Sequence, residues 1–334
     1  MFKKARQPHF LDQLSQEEIL DLRICDLQLN LKKSWISPLI KDLYRELKSK
    51  GLHFKPHVWI SDDWFSPDGQ AGFAIPFFIL HPKLIKLERE AKGYVEGCNA
   101  NWAMKLIRHE TGHAIDNAFR LRALKKRQSI FGKTSTPYPD NYEINPYSKK
   151  YVRHLSGHYA QAHPDEDWAE TFALWLTPKS NWKEKYQGWG ALAKLNYLNQ
   201  VMKDLRFTSQ KNINQREIDC WNKDTRTLRE FFKARAKSRI KKEKFLQKEL
   251  GPVISSRKRI PAYAFLRAQR SLLKRELGVQ LKVPQYKINT FLSDLMLTTK
   301  KNDLYFSKSE KEILQTLSKS AKSYINKGNH KVLM

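Results

Sequence analysis

The stretch RHETGHAIDN, residues 108–117, sets His109 and His113 four positions apart, with Glu110 beside the first. On a helix, residues at this spacing are offset by about 40° around the axis and about 6 Å along it, so both imidazoles project to one side. Such a pair can clamp a transition metal. A hydrolytic zinc site needs about three protein ligands and one position left for water, whose pKa then falls to about 7. Glu110 stands where its carboxylate can reach that water and act as general base. Two histidines also share a helix face for purely structural reasons, so the pair needs a further ligand before it carries chemistry.

The same segment does not supply that ligand. A histidine continuation of the motif requires Gly at 116 and His at 119, but Asp116 and Phe119 stand there. Phe119 equally removes an aspartate ligand six residues after the second histidine. A second helix offers one instead: HPDEDWAETFALWLTP, residues 163–178, has Pro164 at its first position and stops at Pro178. It sets Glu166 and Glu170 four apart, with the small Ala169 and Ala173 beside them. One carboxylate can bind zinc while the other accepts a hydrogen bond from a ligand histidine and fixes its tautomer. The helix dipole favours Asp165, Glu166 and Asp167 in a first turn anyway, but it does not account for Glu170, a turn deeper among apolar residues. A histidine from His154, His158 or His163 is the other third ligand the sequence permits.

Both helices must be held by the elements around them. Residues 15–50 read as a helical hairpin: SQEE is a capping-box pattern, and SWISPLIKDLYRELKSKG has Ser37 as N-cap, Pro38 at the first helical position and Gly51 as the stop. KPHVWISDDWF and GFAIPFFIL are short, rich in Val, Ile and aromatics, and separated by SPDGQAG, which predicts two strands of a small sheet. Pro76 would deny a ladder donor, so the second strand is expected at an edge, where an extended peptide can add. A short charged helix over 83–92 follows, and then one from Asn99 to about residue 127 with the motif in its middle. Gly112 inside that helix costs up to about 1 kcal/mol against Ala, which argues for a close approach of another element. Residues 128–163 are polar, rich in Pro and Tyr, and long for a connection without regular structure, as functional loops often are.

HExxH on one helix followed by ExxxE on the next resembles the gluzincin metallopeptidases, the group that includes thermolysin and the anthrax lethal factor catalytic domain. GFAIPFFILHPKLIKLE, RHETGHAID and HPDEDWAETFALWL together resemble more closely the family of bacterial putative zinc-binding metallopeptidases, over roughly residues 50–180. The resemblance implies an α+β, zincin-like catalytic domain with a small mixed sheet that hydrolyses peptide bonds of a protein or peptide with a zinc-activated water. It implies His109, His113 and Glu166 as Zn²⁺ ligands, Glu110 as general base and Glu170 behind the ligands, with the last two glutamates exchangeable. Gluzincins place a Tyr or His donor near the developing oxyanion. Tyr159 is the candidate here, with Tyr142, Tyr147 and His158 as competitors. No cysteine pairs precede the domain, so the N-terminal zinc ribbon of some relatives is not expected.

At 334 residues the chain is long enough for two domains, expected at 1–200 for the metallopeptidase part and 201–334 for a basic, mostly α-helical part. Its net charge of +28 is uneven. Residues 1–200 hold 30 Lys and Arg against 22 Asp and Glu, or +8, and residues 201–334 hold 32 against 12, or +20. The C-terminal half therefore suggests nucleic acid or another polyanion as partner, although lysines on solvated helix faces give the same tally. This leaves two rivals to a free-standing peptidase: a nucleic-acid-associated protease, and a non-catalytic zincin-shaped module acting through its basic half. Cys25, Cys98 and Cys220 lack CxxC spacing, which predicts neither a disulfide framework nor a zinc ribbon and points to a reducing, cytoplasmic compartment. The basic MFKKARQPHFLDQL has no apolar stretch after it, so no secretion signal is expected, and no segment reaches the roughly 20 apolar residues that span a bilayer.

Overall fold

The computed structural model describes residues 9–208, 214–255, 259–329 and 332–333. Residues 1–8, the start of the basic MFKKARQPHFLDQL, and residues 256–258 lie outside them. The chain divides into two compact units, one of residues 1–140 with 147–236 and one of 141–146 with 237–334. Among the described residues no helix is long and apolar enough to cross a membrane.

The first unit opens with α1 (Gln16–Asp21), started by the expected capping box, in which Ser15 and Glu18 exchange bonds. Between it and α2 (Ser37–Ser49) lie short 3-10 turns, so the expected hairpin is two helices of unequal length, and the N-cap of α2 is Ile36, one residue before Ser37. Helix α2 buries Ile40, Leu43 and Leu47, one stripe of a helix. Then come β1 (His57–Ser61) and β2 (Gly72–Pro76), which pair in parallel from His57 opposite Gly72 to Ser61 opposite Pro76.

GFAIPFFIL lies at a sheet edge as expected, since β1 and β2 form a two-stranded sheet, but that edge is partly covered. The connection folds back so that Phe65 bridges Ala74 in the antiparallel sense, with the Ala74 N–H donating to the Phe65 carbonyl at 2.8 Å, while β1 holds the other side. All five residues of β2 are buried. Pro76 is tolerated because it ends the strand and caps the 3-10 turn Phe77–Leu80. The bridge at Ala74 and the burial of the strand cover part of its outer side.

Next come α3 (Pro82–Lys92), stopped by left-handed Gly93 at φ 89°, and α4 (Ala100–Phe119), whose N-cap Asn99 accepts the Trp102 N–H at 3.0 Å. Helix α4 is shorter than the expected run to 127: Arg120 turns left-handed at φ 54°, and the chain restarts as α5 (Lys125–Phe131). The loop after α5 leads to α6 (Pro164–Leu176), α7 (Trp182–Lys185) and α8 (Ala191–Asp204). The core of this unit gathers Leu43, Phe73, Ile75, Ile107, Ile115, Trp168, Phe172 and Leu195. Helix α9 (Leu228–Leu250) gives Phe231 and Phe232 to this core and Leu246 and Leu250 to that of the second unit.

The second unit is mostly helical: α10 (Ala262–Ala268), α11 (Arg270–Gln280), α12 (Gln285–Lys301) and α13 (Glu310–Asn326) pack around Leu266, Leu277, Phe291, Leu295, Leu317 and Tyr324. Its strands are two residues each. β3 (Asn141–Tyr142) pairs with β7 (Val332–Leu333), and β4 (Ile254–Ser255) and β5 (Ile260–Pro261) flank β6 (Tyr305–Phe306).

Candidate metal centre

Helices α4 and α6 meet where both are small. A Cβ added to Gly112 would lie 2.8 Å from the Cα of Ala169, closer than real Cβ atoms approach. The gap is what lets the two backbones touch, and the Trp168 indole N–H donates to the Gly112 carbonyl at 3.0 Å across it. Helix α4 is also pinned to α2 by a two-bond fork from Arg108 to Glu46, at 2.6 and 2.8 Å.

On this frame His109, His113 and Glu166 converge, all three buried. His109 Nε2 is 3.0 Å from Glu166 Oε2 and 3.2 Å from His113 Nε2, and His113 Nε2 is 3.3 Å from Glu166 Oε2. Ligand atoms about 2.0–2.1 Å from a tetrahedral ion lie about 3.3–3.4 Å from one another. The three atoms form such a triangle with little movement, so the residues present fit a zinc ion.

The support behind the triangle is equally specific. His109 Nδ1 faces Glu170 Oε1 at 3.0 Å, and Glu170 Oε2 accepts the Leu155 N–H at 2.9 Å. The second oxygen of Glu166 accepts the Tyr138 hydroxyl at 3.0 Å. Tyr138 stacks on His163, ring centroids 3.7 Å apart. His163 in turn caps α6, its Nδ1 accepting the Asp165 N–H at 3.2 Å and its Nε2–H donating to the Thr136 carbonyl at 2.7 Å.

Burial sets the charge balance. It pushes the Glu110 carboxyl up to about 7, against the opposing pull of His109 and His113. Burial acts on Glu166 in the same direction, but the charge of His113 and the bonds to His109 and His113 outweigh it and hold this carboxyl well below its usual range. For His109 burial disfavours the cation, and the two glutamates overcome that and raise its pKa. The pocket thus holds one carboxylate firmly charged and another, Glu110, close to gaining a proton near neutral pH.

The histidine alternatives fall elsewhere. His163 uses both ring nitrogens in the cap, and the Nε2–H of His154 donates to the Lys105 carbonyl at 3.0 Å. His158 sits in a left-handed turn at φ 53°. Among the described residues His109, His113 and Glu166 are the metal-capable group. Tyr159 lies beside it, its ring 5.5 Å from that of His109. Tyr147 is 74% exposed, and Tyr142 belongs to β3 of the second unit. Tyr138 is the residue that the sequence did not single out. Its signal was indirect: a tyrosine in a long polar loop beside the histidine that caps the glutamate helix.

A family model described as "Putative zinc-binding metallo-peptidase" matches residues 104–218, which contain HETGH and the whole of α6. No curated protein and no solved structure matches the chain.

Proposed function

We propose that this protein is a zinc-dependent, gluzincin-like metallopeptidase with a zincin-like first unit, acting on a protein or peptide substrate. The observation that carries the reading is the convergence of His109 Nε2, His113 Nε2 and Glu166 Oε2 to within 3.3 Å of one another, with Glu110 buried on the same helix. These three atoms would hold the ion. Zinc held there would supply Lewis acidity, polarising the scissile carbonyl and lowering the pKa of a bound water towards about 7.

The remaining roles belong to the chain. Glu110 takes a proton from the attacking water at its carboxylate and delivers it to the leaving nitrogen. Glu170 holds the Nδ1–H of His109, which leaves the Nε2 lone pair directed at the triangle. Tyr138 steers Glu166 by binding its other oxygen. Tyr159, against the His109 ring, donates its hydroxyl to the developing oxyanion. We place the enzyme in the cytoplasm because its three cysteines are all unpaired, with two of them half-buried.

The test pairs two variants with metal analysis. Glu110→Gln should keep about one zinc per chain and lose peptide hydrolysis by about 10²–10⁴-fold, whereas Glu166→Ala with Glu170→Ala should lose the metal. Retained hydrolysis in Glu110→Gln would sink the assignment of the base, and zinc retained in the double variant would sink the ligand set.

A further inference from the structure

We propose that the second unit binds the phosphate backbone of duplex nucleic acid, without reading its sequence, through a lysine face of α9. Lys237, Lys241, Lys244 and Lys248 stand at i, i+4, i+7 and i+11, and all four are exposed. At this spacing they fall within about 60° around the axis and extend about 16 Å along it.

The rest of the helix is spoken for. Leu246 and Leu250 enter the core of the unit. The acids of this part of α9 are engaged inside the unit: Glu243 pairs with Arg239 and Lys301, and Glu249 Oε1 accepts the Ser323 hydroxyl at 3.2 Å. The other ion pairs of the unit among the described residues, Lys242–Asp294 and Lys287–Glu143, also leave the four lysines out. Like charges one turn apart oppose helix formation. Among the described residues of the unit no carboxylate pairs with this face, whose repulsion an external polyanion would relieve. The surroundings add to it: residues 237–334 hold 23 Lys and Arg against 7 Asp and Glu, or +16.

The occupant follows from what the face lacks. A helix that lies in a membrane surface needs an apolar stripe to insert, and the apolar stripe of α9 is already buried in the core. Ile240, 40% exposed, is a single residue and not a stripe. Single strands are gripped by stacking on exposed aromatics. The aromatic residue of this stretch, Phe245, packs against the core. Phosphates of one strand recur about every 3.4 Å of duplex axis, so a face about 16 Å long, laid along the axis, covers the rise of about five of them. Lysine contacts to phosphate position a protein without naming bases.

The proposal does not depend on zinc chemistry, and a Glu110→Gln variant should bind duplex as the wild type does. The test is fluorescence anisotropy of the full chain with a labelled duplex DNA of arbitrary sequence, about 20 base pairs long. Four released counterions predict a slope of about −3.6 in log K against log salt, or a loss of affinity on the order of 100-fold between about 50 and 200 mM NaCl. Replacing all four lysines with Gln, with folding checked by circular dichroism, should weaken binding at low salt by more than about tenfold and flatten that slope, while the fourfold Lys→Arg variant should retain both. The proposal is overturned by a wild type that fails to bind at low salt, by unchanged binding in the Gln variant, by preference for the single strand, or by capture on phosphatidylserine vesicles without duplex binding.

Discussion

Nδ1 of His109 lies 3.0 Å from Oε1 of Glu170, and both side chains are buried. An imidazole that binds a metal is neutral, with one N–H and one lone pair, so an N–H committed to Glu170 would put that lone pair at Nε2, facing Glu166 and His113. Replacing Glu170 with Gln removes the charge that favours this tautomer while keeping the shape. Zinc affinity should fall by about 10–100-fold with the fold intact, as read by titration against a competing chelator. Unchanged affinity would leave Glu170 without a part in the site.

Two tyrosines flank the centre and should fail differently. Tyr138 donates to Glu166 Oε1 at 3.0 Å and is 51% exposed, so Tyr138→Phe removes one bond from a ligand at little cost to folding. Its signature should be weaker zinc binding, with kcat restored at saturating zinc. Tyr159→Phe should leave zinc binding alone and lower kcat by about 10²–10³-fold, the loss typical of one oxyanion donor. Zinc titrations beside steady-state kinetics separate the two, and exchanged signatures would exchange the roles.

Gly112 offers a test of how the helices deliver their ligands. Its missing Cβ faces backbone, Ala169 Cα at 2.8 Å and Ala169 O at 3.1 Å, and backbone cannot swing aside. Ala is the better helix former, by about 1 kcal/mol, yet Gly112→Ala should destabilise the protein by about 1–3 kcal/mol through overpacking. It should also weaken zinc binding, since forcing α4 from α6 separates His113 from Glu166. Thermal melting and metal content measure both, and a rise in melting temperature would refute the close-approach argument.

Much of this centre was legible because helical periodicity turns spacing into direction. His109 with His113, and Glu166 with Glu170, could be placed on common faces from four-residue intervals alone, and Gly112 signalled a close approach by its cost. The end of α4 was not legible: Arg120 adopts a left-handed conformation that carries no compositional mark in a non-glycine residue. Nor was the parallel pairing of β1 with β2, since the fold-back of Phe65 onto Ala74 is set by tertiary packing. Tyr138 was hidden for a similar reason, because its position depends on a loop held by His163 and Arg127. Charge density changes near residue 200 and contacts change near 236; one is a property of the surface and the other of the core.

Arg127 ties that loop to the helices that carry His113 and Glu166, and its loss should be severe. It is fully buried, and its Nη2 donates at 2.9 Å to both Asp116, three residues past His113, and Asp165, one before Glu166. Its Nη1 also donates to Thr134 Oγ1 at 3.1 Å. Arg127→Met would leave buried Asp165 without its guanidinium and Asp116 with Arg122 alone, whose Nε lies 3.3 Å from Asp116 Oδ2, at a cost of about 3–5 kcal/mol. The sum of contacts does not predict what happens when all three charges go together. Replacing Arg127 with Met, and Asp116 and Asp165 with Asn, should recover a large part of that loss, because the penalty lies in the stranded charges more than in the missing bonds. Urea unfolding of the wild type, the single variant and the triple variant decides it: a single variant within about 1 kcal/mol of wild type would mean that water or protons already neutralise the two aspartates.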